Sequence, residues 1–296
     1  MAVELEIKLT LSERAQAQTL EWLLAQPEAR PGGQKLLVNR YYDTPDAALN
    51  RARAALRVRQ SGDRFIQTLK TQGEFVDGAH RRQEWEWPLP GPELDLSLLE
   101  STPLKQQLDL QQLQVAFETN FTREVVMLET DDAVVEVAVD SGEIVGGGQS
   151  RALHEVEFEL KSGNPASLIS WARMLADEVP VFLNLVSKAE QGYYLAGIYR
   201  PELGPPPGEL SVAEFLQQLS LSWLLQKPLN CPEAALLQVK NAAIQAGVQA
   251  LWDEIQPITG QHAVPELIEK APRLGALQLA LADASANRAP AGPWPR

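Results

Sequence analysis

Between residues 2 and 10 the side chains alternate in kind. Val3, Leu5, Ile7 and Leu9 fall on one face of an extended strand, while Glu4, Glu6 and Lys8 fall on the other. The same period of two predicts strands at 35–43, 54–60, 64–71, 81–89, 119–128, 133–140 and 152–161. Gly62-Asp63 and the run from Gly142 to Gly148 read as hairpin turns. Helices are predicted at 12–25, after the cap Thr44-Pro45-Asp46, and at 103–112, 164–177 and 187–199. The proline-rich stretch 201–208 cannot continue either element and reads as a stiff connector. Beyond it, Ser211 and Glu214 have capping-box spacing, and Leu- and Ala-rich periodic stretches at 212–226, 232–252, 264–271 and 273–285 predict helices. The chain thus divides into 1–200, the connector 201–208, a helical region 209–288 and a tail 289–296.

The polar side of these strands is unusual because it is built mainly from ionisable residues of both signs. Arg57 and Arg59 flank Val58; Lys70 follows Leu69; Arg82 and Glu84 alternate with Gln83 and Trp85. Glu136 and Asp140 alternate with valines, and Glu155, Glu157 and Glu159 alternate with Val156, Phe158 and Leu160. Glutamates repeated on one face repel one another unless cations or a ligand offset them. The other side is heavily apolar and needs a cover, which the predicted helices supply. These features lead to an α+β expectation: a closed eight-stranded antiparallel β-barrel, its charged face lining the lumen and helices outside, followed by a small all-α C-terminal region.

Composition narrows the options. The 296 residues carry 26 Lys+Arg against 39 Asp+Glu, a formal net charge of −13, which argues against a nucleic-acid backbone as partner. No apolar run approaches a membrane span and Glu4, Glu6 and Lys8 do not suit a secretory leader, so a soluble cytoplasmic protein with no membrane partner is expected. Cys231 is the only cysteine, and His80, His154 and His262 lack ligand spacing. His154-Glu155 opens like a zinc-protease helix, but position 158 is Phe158 in a strand pattern. Trp85 and Trp87 read as apolar packing under a helix.

Carboxylates beside guanidinium and ammonium groups suit a polyphosphate carried with a hard divalent cation. Such an ion takes carboxylate and phosphate oxygens, while Arg and Lys grip phosphate. The opening Glu4-Leu-Glu-Ile-Lys8 resembles the signature of the CYTH superfamily, the triphosphate tunnel metalloenzymes. The resemblance continues through Tyr41-Tyr-Asp-Thr-Pro45, Leu56-Arg-Val-Arg59, Thr68-Leu-Lys70, Arg82-Gln-Glu84, Phe121-Thr-Arg123, Glu136 with Asp140, Glu155-Val-Glu-Phe-Glu159 and Ser187-Lys188-Ala-Glu-Gln-Gly-Tyr193. Within that superfamily the chain looks most like the bacterial inorganic triphosphatases.

The resemblance implies that Lys8, Arg57, Arg59, Lys70, Arg82, Arg123 and Lys188 bind inorganic triphosphate. It implies that Glu4, Glu6, Glu136, Asp140, Glu155, Glu157 and Glu159 hold Mg2+ or Mn2+, and makes Lys8, Glu6 and Glu84 the catalytic candidates. The implied reaction is hydrolysis of triphosphate to diphosphate and phosphate. Thiamine triphosphatase, nucleoside triphosphatase, class IV adenylate cyclase and a non-catalytic polyphosphate-binding module remain open at this point. The helical region, with His262 and few basic residues, reads as a packing or partner module whose Leu-rich faces leave a homodimer open.

Overall fold

The computed structural model describes residues 2–71, 74–76, 79–102, 104, 112–204 and 208–286, with the side chains of 2, 3, 74–76, 80, 82 and 286 outside that description. The expected helix at 103–112 lies almost wholly outside the described residues. Strands β1 (Ala2–Thr10), β2 (Ala29–Asp43), β3 (Ala55–Ser61), β4 (Arg64–Lys70), β5 (Glu74–Val76), β6 (Ala79–Leu89), β7 (Gln114–Glu129), β8 (Ala133–Gly146), β9 (Gln149–Gly163) and β10 (Phe182–Leu183) form one antiparallel sheet. Helices α1 (Glu13–Leu24), α2 (Ala48–Arg51), α3 (Ala166–Glu178) and α4 (Lys188–Leu195) flank it. The helical region contributes α5 (Val212–Leu225), α6 (Leu237–Gln245), α7 (Gln249–Thr259), α8 (Val264–Lys270) and α9 (Leu274–Ala286).

The expectation of an eight-stranded closed barrel is corrected. Among the described residues the sheet has ten strands in the order β10-β1-β9-β8-β7-β2-β3-β4-β6-β5, with β10 and β5 at its two ends. β1 also pairs with β6, but only over Ala2–Glu6; beyond that, Leu9 and Thr10 pair with β10 instead. The two added strands are two and three residues long, too short for alternation to announce them.

Two further differences have local causes. The stretch from Gly142 onward was expected to turn, yet β8 runs through it and the chain reverses only at Gly147 and Gly148, both at positive φ. Gly142 pairs with Phe121 of β7, and a Cβ there would lie 2.1 Å from the Asn120 carbonyl oxygen. Its lack of a side chain serves strand contact and not a turn. In the helical region, the single stretch expected over 232–252 is a 3-10 turn at Glu233–Leu236 followed by α6 and α7, which separate at Gly247 with φ 71°.

Apolar residues of β1, β8 and β9, including Ile7, Leu9, Val137, Val139, Val156 and Phe158, share one core with α3 and the C-terminal helices. A second cluster covers β3 and β4 with Leu56, Leu69 and Leu99, and Trp85 and Trp87 pack against it. Helix caps form as side-chain hydrogen bonds, the Ser211–Glu214 box as its spacing predicts. Ser12 accepts from the Ala15 N–H, and Ser187 with Glu190 and Ser211 with Glu214 make reciprocal capping boxes. Among the described residues no helix is long and apolar enough to cross a membrane.

Gly142→Ala is expected to destabilise the protein by about 3 kcal/mol, since backbone must move. Gly148→Ala, with open space around its Cβ, should cost only about 1–2 kcal/mol from the left-handed backbone alone. Urea denaturation of both variants measures the difference.

Candidate functional site

Adjacent antiparallel strands put matching positions side by side, and here the matching positions are charged. Lys8 on β1 pairs with Glu157 on β9 and Glu6 pairs with Glu159; Asp140 on β8 lies between Arg123 on β7 and Glu155 on β9. These side chains are enclosed: Asp140 is 0% exposed, Glu155 1% and Lys8 4%. Buried charges persist only when paired and hydrogen-bonded, so each needs a partner of opposite sign.

The densest group centres on Lys188, the first residue of α4. Its Nζ lies 2.6 Å from Glu157, 2.7 Å from Glu155 and 3.0 Å from Asp140. Three carboxylates around one ammonium leave a cation deficit, which Arg123 reduces by bonding both oxygens of Asp140 and one of Glu157, each at 2.7 Å. Gln191, one helical turn after Lys188, donates to the other oxygen of Glu155 at 2.9 Å. Burial alone would lower Lys188 and Arg123, but the surrounding carboxylates raise both above their ordinary values. Burial would raise Glu157, yet Lys188, Arg123 and Lys8 hold it well below the ordinary carboxylate range. Lys8 Nζ donates to the Val186 carbonyl, just before α4 begins.

A second group sits where β1, β4 and β6 meet. Lys70 Nζ bonds both oxygens of Glu4 at 2.8 and 2.9 Å and approaches Glu84 at 3.3 Å. Glu84 in turn lies 4.0 Å from Arg57, whose other terminal nitrogen donates to the Tyr41 hydroxyl at 3.4 Å. Arg59, two residues along β3, donates through Nε to Asn39, a neutral amide, at 2.7 Å. Burial first, then the neighbouring Arg57 and Arg123, push Arg59 down to about 9. Three guanidiniums gathered in an enclosed region make a positive centre that an anion relieves.

Of the residues singled out in the sequence, Lys8, Asp140, Glu155, Glu157, Arg123 and Lys188 lie in the first group or against it, and Glu4, Glu84, Lys70 and Arg57 form the second. Glu6 is buried on β1 between positions paired with β9 and β6. Glu136 and Glu159 gather around Lys161 at 3.6 and 2.8 Å, more open to water than the two groups. Burial and the nearby acids Glu4 and Glu136 raise Glu159. The Arg82 side chain lies outside the described residues, although its backbone pairs with Glu4.

Tyr41 and Gln191 lie in stretches that carry the resemblance but have no assigned role there, and Asn39 lies outside those stretches. Asn39 and Tyr41 share their strand face with Leu37 and Asp43, and Gln191 is three residues from Lys188 on one helix face; these periods were the available signals.

Among the described residues no three acidic, histidine or cysteine side chains gather as a metal site. The donor chemistry nonetheless fits a hard divalent cation. Glu4 and Glu84 converge on one cationic position, now filled by the Lys70 ammonium, and Mg2+-type ions commonly take one or two carboxylates with the remaining oxygens from phosphate.

Fold and site together define an α+β protein with an enclosed mixed-charge sheet face suited to a small polyanion. The chain belongs to the CYTH domain family, whose model matches residues 2–193. An inorganic triphosphatase from Haemophilus influenzae is 35% identical over 196 residues, covering 66% of this chain and 55% of its own. The chain therefore spans just over half the length of that relative. Two solved structures resemble it more distantly. One, a Hippeastrum protein described as a candidate adenylyl cyclase with dominant triphosphatase activity, is 19% identical with a TM-score of 0.49, over 67% of this chain and 98% of that one. The other, the mimivirus capping-enzyme triphosphatase, is 11% identical with a TM-score of 0.37, over 59% and 88%.

The first group sets a pH signature. Glu157, depressed on folding, contributes stability above its unfolded value near 4.5, and this is lost as pH falls through the lower folded value. Lys188, raised on folding, contributes below its unfolded value near 10.5 and is lost only as pH rises beyond it. Lys188→Met should cost about 3–5 kcal/mol at pH 7, because three carboxylates lose their shared cation. That deficit should shrink toward pH 4 as the stranded carboxylates protonate, read by urea denaturation at both pH values.

Proposed function

We propose that this chain hydrolyses inorganic triphosphate to diphosphate and phosphate with Mg2+ or Mn2+. The observation that carries the reading is Arg59, partly buried beside Arg57 and Arg123, whose Nε partner among the described residues is a neutral amide. A linear triphosphate brings several negative charges in a narrow chain and suits such a centre. The net charge of −13 supports a small enclosed anion over a nucleic-acid duplex. We take 1–200 as the catalytic part and 209–288 as its helical companion in a protein of the aqueous cytoplasm, with a homodimer as an option that a sizing column would test.

Each side chain then has a role. Arg57, Arg59, Arg123, Lys8, Lys188 and Arg82 bind and orient phosphate oxygens. Lys70 turns from Glu4 and Glu84 onto phosphate, leaving those two carboxylates, with Glu6, to hold the cation. When bound, the cation would neutralise phosphate charge. Attack by water forms the new P–O bond in line with the bridging bond that breaks, and the guanidiniums stabilise charge as it moves onto the departing diphosphate. The buried carboxylates favour hydrolysis over mere storage of polyphosphate, because binding alone would need chiefly cations. The resemblance in sequence to an inorganic triphosphatase supports the bare substrate.

Phosphate release should be tested with tripolyphosphate, ATP, thiamine triphosphate and diphosphate, each with Mg2+, Mn2+ or EDTA. Tripolyphosphate should be the best substrate and EDTA should stop its turnover. Arg59→Ala and Glu6→Gln should each lower turnover by about a hundredfold or more with the circular dichroism spectrum unchanged. Near-normal metal-dependent release by either variant would end this reading.

A further inference from the structure

Residues 179–187 join α3 to α4 through the short strand β10, and from Leu183 to Val186 consecutive residues are bonded to opposite sides. Toward the charged face, the Asn184 N–H donates to the Lys8 carbonyl at 3.2 Å, and its side chain donates to Thr10 at 3.0 Å. The Val186 carbonyl accepts from Lys8 Nζ, and the Val186 N–H donates to the Asn184 side chain at 3.0 Å. Ser187 then caps α4, and Lys188 follows at once.

The alternate residues face the C-terminal helices. Gln278 of α9 accepts from the Leu183 N–H at 2.9 Å and donates to the Leu183 carbonyl at 3.0 Å. One side-chain amide thereby satisfies both backbone groups on the free edge of β10, as a further strand would. Ser220 of α5 accepts from the Leu185 N–H at 3.0 Å while donating to the Leu216 carbonyl at 2.9 Å. Gly275, three residues before Gln278, allows the approach: a Cβ there would lie 2.4 Å from the Val181 carbonyl oxygen. Gln278 and Ser220 are fully buried in leucine-rich helices, where polar groups are costly unless bonded, and their bonds go largely to this segment.

We infer that Gln278 and Ser220 are positioning residues: through the segment 182–187 they hold the Val186 carbonyl that anchors Lys8 and the helix start that aims Lys188. The helical region is on this view part of the catalytic apparatus. The inference rests on the proposed function for the identity of the ligand, but the mechanical link stands on the bonds themselves.

The test compares Ser220→Ala, Ser220→Thr and Gln278→Ala with Arg273→Ala, an exposed position beside α9. In the full-length protein, kcat/KM for tripolyphosphate should fall about tenfold in Ser220→Ala and further in Gln278→Ala. Amide exchange over 182–188 should accelerate in both, Ser220→Thr should restore both readouts, and Arg273→Ala should change neither. Folded variants that hydrolyse and exchange like the wild type overturn the inference and leave the proposed function standing. A wild type that releases no phosphate overturns the function instead. The inference is then decided by calorimetric binding of tripolyphosphate and by the exchange readout: a roughly tenfold affinity loss with faster exchange supports it, and no change overturns it. If Gln278→Ala does not fold, the Ser220 pair decides alone.

Discussion

One ammonium surrounded by three carboxylates holds this site together. Lys188 reaches Asp140, Glu155 and Glu157 from the start of a helix, where the local dipole already disfavours a cation. The placement is tolerable because those carboxylates, on two neighbouring strands, would repel one another without it. Arg123 completes the balance from the next strand, and Lys8 adds positive charge from the opposite one. The cost of stranding any member is what makes the group act as a unit.

The same arrangement explains why cations and acids are interleaved along the strands. A site made only of arginines would bind phosphate but would strain the folded chain whenever it was empty. Here Lys70 rests between Glu4 and Glu84, and Lys188 rests among its three acids, so each ammonium is balanced within the fold. Arg59 differs, with a neutral amide on its Nε and guanidinium neighbours among the described residues, and under the proposed function it is where an anion gains most.

The apolar side of the sheet has an equally direct logic. Ile7, Leu9, Val137, Val156 and Phe158 join α3 and the C-terminal helices in one core, so the helical region is packed onto the strands that carry the charges. Arg151 adds a polar joint, stacking over Tyr194 of α4 and Trp223 of α5 and donating to the Leu224 carbonyl. Both sides of α4 are thus tied down, one by ion pairs and the other by packing.

Alternation made β1, β3, β4 and the charged parts of β6 to β9 legible, because a half-buried strand writes its two faces into residue order. It also exposed nearly every charged residue of the site, and the Ser211–Glu214 spacing announced the cap of α5. Strands β5 and β10 were too short to write any period, and with them the described sheet has ten strands. Gly142 looked like a turn because sequence cannot distinguish a glycine needed for positive φ from one needed for close backbone contact. Which acid pairs with which base was likewise decided in three dimensions. Glu136 and Glu159 share a strand face pattern with Asp140 and Glu157, yet they end in a wetter group around Lys161. Residue order dictates the face on which a charge lies, through local backbone geometry; strand register and helix docking, set by contacts between residues far apart in the chain, dictate the partner it meets.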